Sequence, residues 1–330
     1  MKQKVIAFNR VEEPVLQQLR KTYDVHFFKE IDTDSDPEFL QQLRTAEGII
    51  GMGLHVDEKL LNRAPHLKIV SNVSVGYNNL DIEQLSRRGI MATNTPDVLT
   101  DTVADAIFGI LLATARRIPE LDHMVKSGGW TTEAIDSHYY GTDVHHKILG
   151  IIGMGRIGEA IAQRAHHGFN MKILYHNRTR KRDAEQKYEA TYCSLDDLLK
   201  QSDFVCLMTP LTAETKGMIR KREFHLMKKT AIFINGSRGE TIVEEDLIAA
   251  LQNKDIAASG LDVFEQEPIE PNHPFLQMKH VVTTPHIGSS TQATELKMSE
   301  LAAFNLEEGL RGRKPPHLID PTVWKMIQNS

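Results

Sequence analysis

Three side chains in the second half of this 330-residue chain could do chemistry together, and each sits in its own frame. Arg238 lies in Asn235-Gly236-Ser237-Arg238-Gly239, Glu267 in Asp262-Val263-Phe264-Glu265-Gln266-Glu267-Pro268, and His286 in Thr284-Pro285-His286-Ile287-Gly288. These are the parts that reduction of a small anionic oxo-acid requires. The planar fork of arginine binds a carboxylate bidentately and keeps its proton. Histidine, which titrates near neutral pH, can protonate a carbonyl oxygen as a hydride reaches the carbon. A neighbouring carboxylate favours the imidazolium and fixes the ring. The chain has 15 histidines, so residue type alone selects none of them. Position does: all three residues follow apolar runs that read as strands (231–235, 257–261 and 281–283). In an open parallel sheet, ligands bind beyond the carboxyl ends of the strands.

A second constellation precedes these. The apolar run 148–152 ends at Gly153-Met154-Gly155-Arg156-Ile157-Gly158, and an amphipathic stretch follows over 159–167. The order strand, glycine turn, helix fits a dinucleotide loop. The first glycine permits the tight turn, the second lets backbone approach a pyrophosphate, and the third allows close helix–strand packing. Helix amides then face the phosphates. The next strand ends at Asn177-Arg178-Thr179-Arg180. For NAD, an acidic residue is expected about 20 residues beyond the glycines to hold the ribose. Asn177 stands there without charge and tolerates a 2′-phosphate, which Arg178, Arg180 and the Thr179 hydroxyl can bind. NADP(H) is therefore expected over NAD(H); the competing reading of this segment is a solvated basic loop.

The elements around these residues alternate in type. In the first third, apolar runs at 5–8, 25–28, 48–50, 67–70 and 90–92 alternate with helix-like segments at 14–20, 57–63 and 81–88. Runs at 148–152, 171–175, 204–208, 231–235, 257–261 and 281–283 form a second set. Alternation of this kind predicts parallel βαβ units, and near-continuous apolar runs predict strands covered on both faces. Between the two sets, residues 97–126 carry apolar positions at helical spacing and read as one long linking helix. Thr100 or Asp101 caps it and Pro119 kinks or ends it. Ser194 reads as a helix cap, residues 291–310 as a final helix, and 312–316 as irregular.

Bulk properties narrow the function classes. The net charge of −5 argues against general polyanion binding, so no nucleic-acid partner is expected. No apolar stretch is long enough for a membrane span. Two isolated cysteines, Cys193 and Cys206, support neither a disulfide framework nor a zinc site, and a reducing, cytoplasmic setting is expected. His145, His146, His166 and His167 look peripheral. No histidine pair has metal-ligand spacing with a third ligand, so no metal is expected.

Taken jointly, the three frames, the glycine loop, Val73-Ser74-Val75-Gly76-Tyr77, the run from Asn94 to Asp105 and Thr209-Pro210-Leu211-Thr212 resemble the D-2-hydroxyacid dehydrogenase family. The resemblance runs over nearly the whole chain, and is greatest to its glyoxylate/hydroxypyruvate reductases and bacterial 2-ketogluconate reductases. It implies an α/β fold of two Rossmann-like or flavodoxin-like lobes with parallel sheets and an active site in the cleft between them. The substrate lobe would be 1–99 plus 291–330, and the dinucleotide lobe 100–290.

It also implies that Arg238, Glu267 and His286 are catalytic, and that Leu54, Val75, Gly76, Arg238 and His286 meet substrate, with the Val75 and Gly76 amides on its carboxylate. Thr100, Thr209, Pro210, Gly236, Ser237, Asp262 and Gly288 would line the cofactor, Asp262 near the nicotinamide amide. Asn177 and Asn78 depart from acids common in relatives. A homodimer through the dinucleotide lobe is implied, using residues 100–126 and 128–140. Trp130, Tyr139 and Tyr140 would serve there as interface or cleft aromatics, or as buried packing. The expected reaction is NADPH-dependent reduction of a small 2-oxo acid to a D-2-hydroxy acid. The alternatives are an NAD-dependent reductase of another oxo-acid, or a dinucleotide-sensing co-regulator.

Overall fold

The computed structural model describes residues 2–329, and the chain divides into two compact units. One comprises the chain up to Leu99 and from Ser290 onward; the other is Thr100–Ser289. The outer limits expected for the first lobe, Met1 and Ser330, lie outside the described residues.

The first unit holds five parallel strands: β1 (Lys4–Phe8), β2 (Asp24–Phe28), β3 (Gly48–Gly51), β4 (Ile69–Asn72) and β5 (Met91–Thr93). Their order is β2-β1-β3-β4-β5, the doubly wound flavodoxin-like arrangement. β3 and β4 are buried at every position; β3 is apolar throughout, while β4 ends in the buried polar residues Ser71 and Asn72. The helix Gln292–Leu310, capped by Thr291, returns the chain to this sheet. It can lie close because Gly48 and Gly309 have no Cβ; one at Gly48 would stand 2.8 Å from Leu306, and one at Gly309 2.5 Å from Ile69. A last helix, Thr322–Gln328, was not anticipated from sequence.

The second unit holds seven parallel strands: β6 (Ile148–Ile152), β7 (Lys172–His176), β8 (Thr191–Tyr192), β9 (Phe204–Leu207), β10 (Ile232–Asn235), β11 (Ala258–Leu261) and β12 (Val281–Thr283). Their order, β12-β11-β10-β9-β6-β7-β8, is the Rossmann order extended by one strand. The two-residue, exposed β8 carries no apolar run, so no periodicity marks it. Ser194 caps the helix Leu195–Gln201 by accepting from Asp197 N–H.

The single long helix expected over 97–126 is instead two, Thr100–Ala115 and Ile118–Lys126. The break is at Arg117, left-handed at φ 54. Pro119 falls in the opening positions of the second helix, where its missing N–H has no acceptor to lose. It starts a helix rather than ending one. Helix Thr100–Ala115 packs on β10 and β11 through Gly236 and Gly260, where a Cβ would meet Ile107 at 2.3 Å and Ile110 at 2.5 Å.

Among the described residues, no helix is long and apolar enough to cross a membrane, and no cluster of histidine, cysteine and acidic side chains could hold a metal ion. Cys206 is fully buried on β9, and burial pushes its thiol up to about 12, so it is inert at neutral pH.

Candidate active site

The carboxyl ends of β10, β11 and β12 carry Arg238, Glu267 and His286 on the loops that follow. Gly239 sets the first loop. A Cβ there would lie 1.9 Å from the Phe264 carbonyl, so only glycine lets the Arg238 turn rest against the loop bearing Glu267. Nothing in the sequence near Gly239 signals this requirement, which arises from a loop 25 residues away. Arg238 is half-buried and donates to the Ser237 carbonyl at 2.7 Å. Burial pushes its pKa down while Glu267 and Glu240 push it up; the net shift is downward, though a guanidinium remains protonated at any working pH.

His286 Nδ1 lies 2.8 Å from Glu267 Oε2, and Phe264 N–H donates to the other carboxylate oxygen at 3.0 Å. Burial raises the Glu267 pKa, but the hydrogen bonds from His286 and Phe264, with the charges of His286 and Arg238, more than offset this and hold it below its ordinary value. An ionised carboxylate only accepts, so Nδ1 carries a proton and Nε2 is the second functional nitrogen. Glu267–Pro268 is a cis peptide.

The backbone at His286 is left-handed, φ 52, a region that a non-glycine residue occupies only when its surroundings hold it there. Asp262 does the holding. Its buried carboxylate accepts from Thr284 Oγ1 at 2.7 Å, Ile287 N–H at 2.8 Å and Gly288 N–H at 2.9 Å, bracketing His286 on both sides. Both Asp262 oxygens are thus engaged within the loop. Ser237, expected along the cofactor, is also turned inward, its hydroxyl shared between Asn235 and Thr241 at 2.9 Å each.

The glycine loop has three distinct geometries. Gly153 is left-handed, φ 100, and a Cβ would stand 2.7 Å from Met208. A Cβ on Gly155 would meet nothing within 4 Å, leaving the start of helix Arg156–Gln163 open. A Cβ on Gly158 would stand 2.3 Å from the Gly153 carbonyl. Tight turn, open approach and close packing fall on the first, second and third glycines, and the first-turn amides of the helix have no intrahelical acceptor. These residues fit a dinucleotide pyrophosphate.

Asn177 Nδ2 donates to the Thr179 carbonyl at 2.9 Å; Arg178 and Thr179 are exposed, while Arg180 is paired with Glu185. Thr209 is part-buried with its hydroxyl toward Met218, and Pro210 is exposed. Thr100 opens the helix Thr100–Ala115.

In the other unit, Leu54 is buried within the apolar core after β3, and its carbonyl accepts from Asn79 at 2.8 Å. Val75 and Gly76 follow β4. Asn94 Nδ2 holds the Val75 carbonyl at 2.9 Å and Asn72 Nδ2 the Gly76 carbonyl at 2.8 Å. Among the described residues neither the Val75 nor the Gly76 amide has an acceptor. The only sequence signal for Asn72 and Asn94 is their position at the ends of two strands.

Residues 108–288 match the family model described as D-isomer specific 2-hydroxyacid dehydrogenase, NAD binding domain. The chain belongs to that family. It is 46% identical over 323 residues, 98% of this chain and 99% of the relative, to glyoxylate/hydroxypyruvate reductase B of Escherichia coli O9:H4 (strain HS). Its fold is similar to that of the NADPH-dependent glyoxylate/hydroxypyruvate reductase SMc04462 of Sinorhizobium meliloti, solved with NADP and malonate. The TM-score is 0.87 at 31% identity, covering 97% of each chain. The TT0316 protein of Thermus thermophilus gives a TM-score of 0.87 at 36% identity, covering 96% of this chain and 100% of that one. This 2-hydroxyacid dehydrogenase is thus an oxidoreductase of two parallel-sheet α/β units, with a nicotinamide dinucleotide as cofactor.

Proposed function

We propose that this protein is an NADPH-dependent reductase of small 2-oxo acids, acting on glyoxylate and hydroxypyruvate and, as a longer substrate, 2-ketogluconate, and giving D-2-hydroxy acids. The observation that carries this reading is the 2.8 Å contact between His286 Nδ1 and Glu267, on loops beyond the strand ends that also bear Arg238. The names of the relatives point the same way.

The glycine loop at residues 153–158 would hold the dinucleotide, whose nicotinamide would supply the hydride for C2 of the oxo-acid. Arg238 grips the carboxylate and carbonyl oxygens through its fork. His286, held at Nδ1, delivers the proton from Nε2 to the carbonyl oxygen. Glu267 fixes the ring and offsets its positive charge, the orienting role a carboxylate plays in a catalytic triad. Asp262 sets the His286 turn and so acts as a positioning residue. The Val75 and Gly76 amides, with their carbonyls fixed by Asn94 and Asn72, are suited to a carboxylate.

The cofactor reading rests on Asn177, Arg178, Thr179 and Arg180. Asn177→Asp places a carboxylate where a 2′-phosphate would come. It is expected to raise KM for NADPH by about tenfold or more, the scale of one lost charge-assisted bond plus repulsion, and to leave KM for NADH nearly unchanged. Steady-state kinetics with both cofactors checks this; equal effects on the two refute the phosphate site.

A homodimer is the proposed assembly. Helix Ile118–Lys126 has no buried residue, and Ile118, Val125, Trp130 and Tyr140 are all more than half exposed. Trp130 and Tyr140 are therefore not core packing in this chain, one of the roles open to them from sequence. An isolated helix of nine residues with nothing buried is marginal in water, which favours a covering partner. A cavity of about 940 Å³ beside this helix, lined by Arg117, His123, Tyr139 and His280, lies at the amino ends of β10–β12. That is the opposite end of the same strands from Arg238, Glu267 and His286. Sedimentation of the intact protein at twice the chain mass is expected; a monomer at micromolar concentration contradicts the proposal.

A further inference from the structure

We infer that Tyr175 and Glu185 are positioning residues that set the Asn177–Lys181 turn to receive a 2′-phosphate, and so contribute to cofactor choice. The inference rests on the proposed NADPH reading and extends it to two residues outside the turn itself. Tyr175 lies near the end of β7 with its side chain fully buried. Its hydroxyl accepts from Lys181 N–H at 2.7 Å and donates to Glu185 Oε1 at 2.7 Å. Glu185, on helix Arg182–Tyr188, takes two N–H groups of Arg180: Nε at 2.7 Å and Nη2 at 2.9 Å. The turn is pinned at its other end by Tyr192, whose hydroxyl donates to the Asn177 carbonyl at 3.2 Å, and internally by Asn177 on Thr179.

The arrangement separates the parts by exposure. The Glu185 side chain is 18% exposed and that of Arg180 61%, so the anchor is sheltered and the cation is presented to solvent. Of the five donors of an arginine, Glu185 occupies two and orients the other three. A loop already fixed in its binding shape loses little entropy when a ligand arrives. Burial and the Glu185 acceptor push the Tyr175 hydroxyl up to about 12, so it keeps the proton it donates. A 2′-phosphate, which only accepts, uses the donors this network aims; a 2′-hydroxyl makes far less use of them.

Isothermal titration calorimetry on the full chain tests this, with NADPH and NADH as one pair and 2′,5′-ADP and 5′-AMP as the other. The proteins are wild type, Tyr175→Phe, which keeps the ring that packs against Tyr192, and Glu185→Gln. Both variants are expected to weaken NADPH and 2′,5′-ADP by about tenfold, and NADH and 5′-AMP by less than about twofold. Equal weakening within each pair indicates a structural role and overturns the inference, as does no change in either variant. If wild type binds 2′,5′-ADP no better than 5′-AMP, the phosphate site itself fails and the inference falls with it. A wild-type preference that survives both substitutions overturns the inference alone.

Discussion

His286→Gln is expected to lower kcat for 2-oxo acid reduction by about 10²- to 10⁴-fold, the range that a positioned general acid contributes. Glutamine keeps a polar side chain that can still meet Glu267, but it cannot release a proton at neutral pH. At 1.36 kcal/mol per tenfold in rate, the loss corresponds to about 3–5 kcal/mol of barrier. Dinucleotide affinity should change little, because the glycine loop does not depend on His286. Stopped-flow reduction with saturating cofactor, beside a direct titration of cofactor binding, separates the two quantities. Loss confined to binding, with kcat intact, contradicts the assignment. Glu267→Gln should cost less than the histidine change, since it removes the carboxylate that orients the imidazole while leaving the imidazole in place.

The second large effect is expected at Arg238. Arg238→Lys should reduce kcat/KM by about 10²-fold through both constants. A lysine point charge cannot replace the two parallel bonds of the fork, and each charge-assisted bond contributes about 1.5–3 kcal/mol. The half-buried setting adds to the cost, because an ammonium is more strongly hydrated than a guanidinium and gives up more on leaving water. Steady-state kinetics across oxo-acid concentrations is the check. An unchanged kcat/KM would remove Arg238 from substrate binding.

Much of this architecture was legible in the sequence because of its parallel sheets. Strands such as β3 and β9 are buried at every position, so they appear as unbroken apolar runs that need no partner to be recognised, and β10 and β11 are interrupted by one polar residue each. The frames that hold Arg238, Glu267 and His286 were legible for a related reason, since each begins where a predicted strand ends. What failed to show were features set by tertiary context. Helical spacing continues across Arg116 and Arg117, and nothing local reports that Arg117 turns left-handed and starts a second helix at Ile118. The edge strand β8 is two exposed residues and leaves no pattern.

At the site, the family resemblance implied cofactor roles for Ser237 and Asp262. In the structure Ser237 is engaged within its own loop, whereas the donors that occupy Asp262 come from the loop after β12, more than 20 residues downstream. The same distance hides Gly239, whose need to be glycine arises from Phe264. Tyr175 and Glu185 read as an ordinary strand residue and an ordinary helix residue until their contacts with the Asn177–Lys181 turn are seen.

The most direct test of an NADPH-dependent 2-oxo acid reductase is a set of initial rates with NADPH and with NADH on glyoxylate, hydroxypyruvate and 2-ketogluconate. Turnover of these 2-oxo acids is expected, with kcat/KM for NADPH well above that for NADH. Turnover that favours NADH would contradict the reading of Asn177 to Arg180, and absence of turnover with every pair, in a protein that binds dinucleotide, would contradict the proposed reductase function itself.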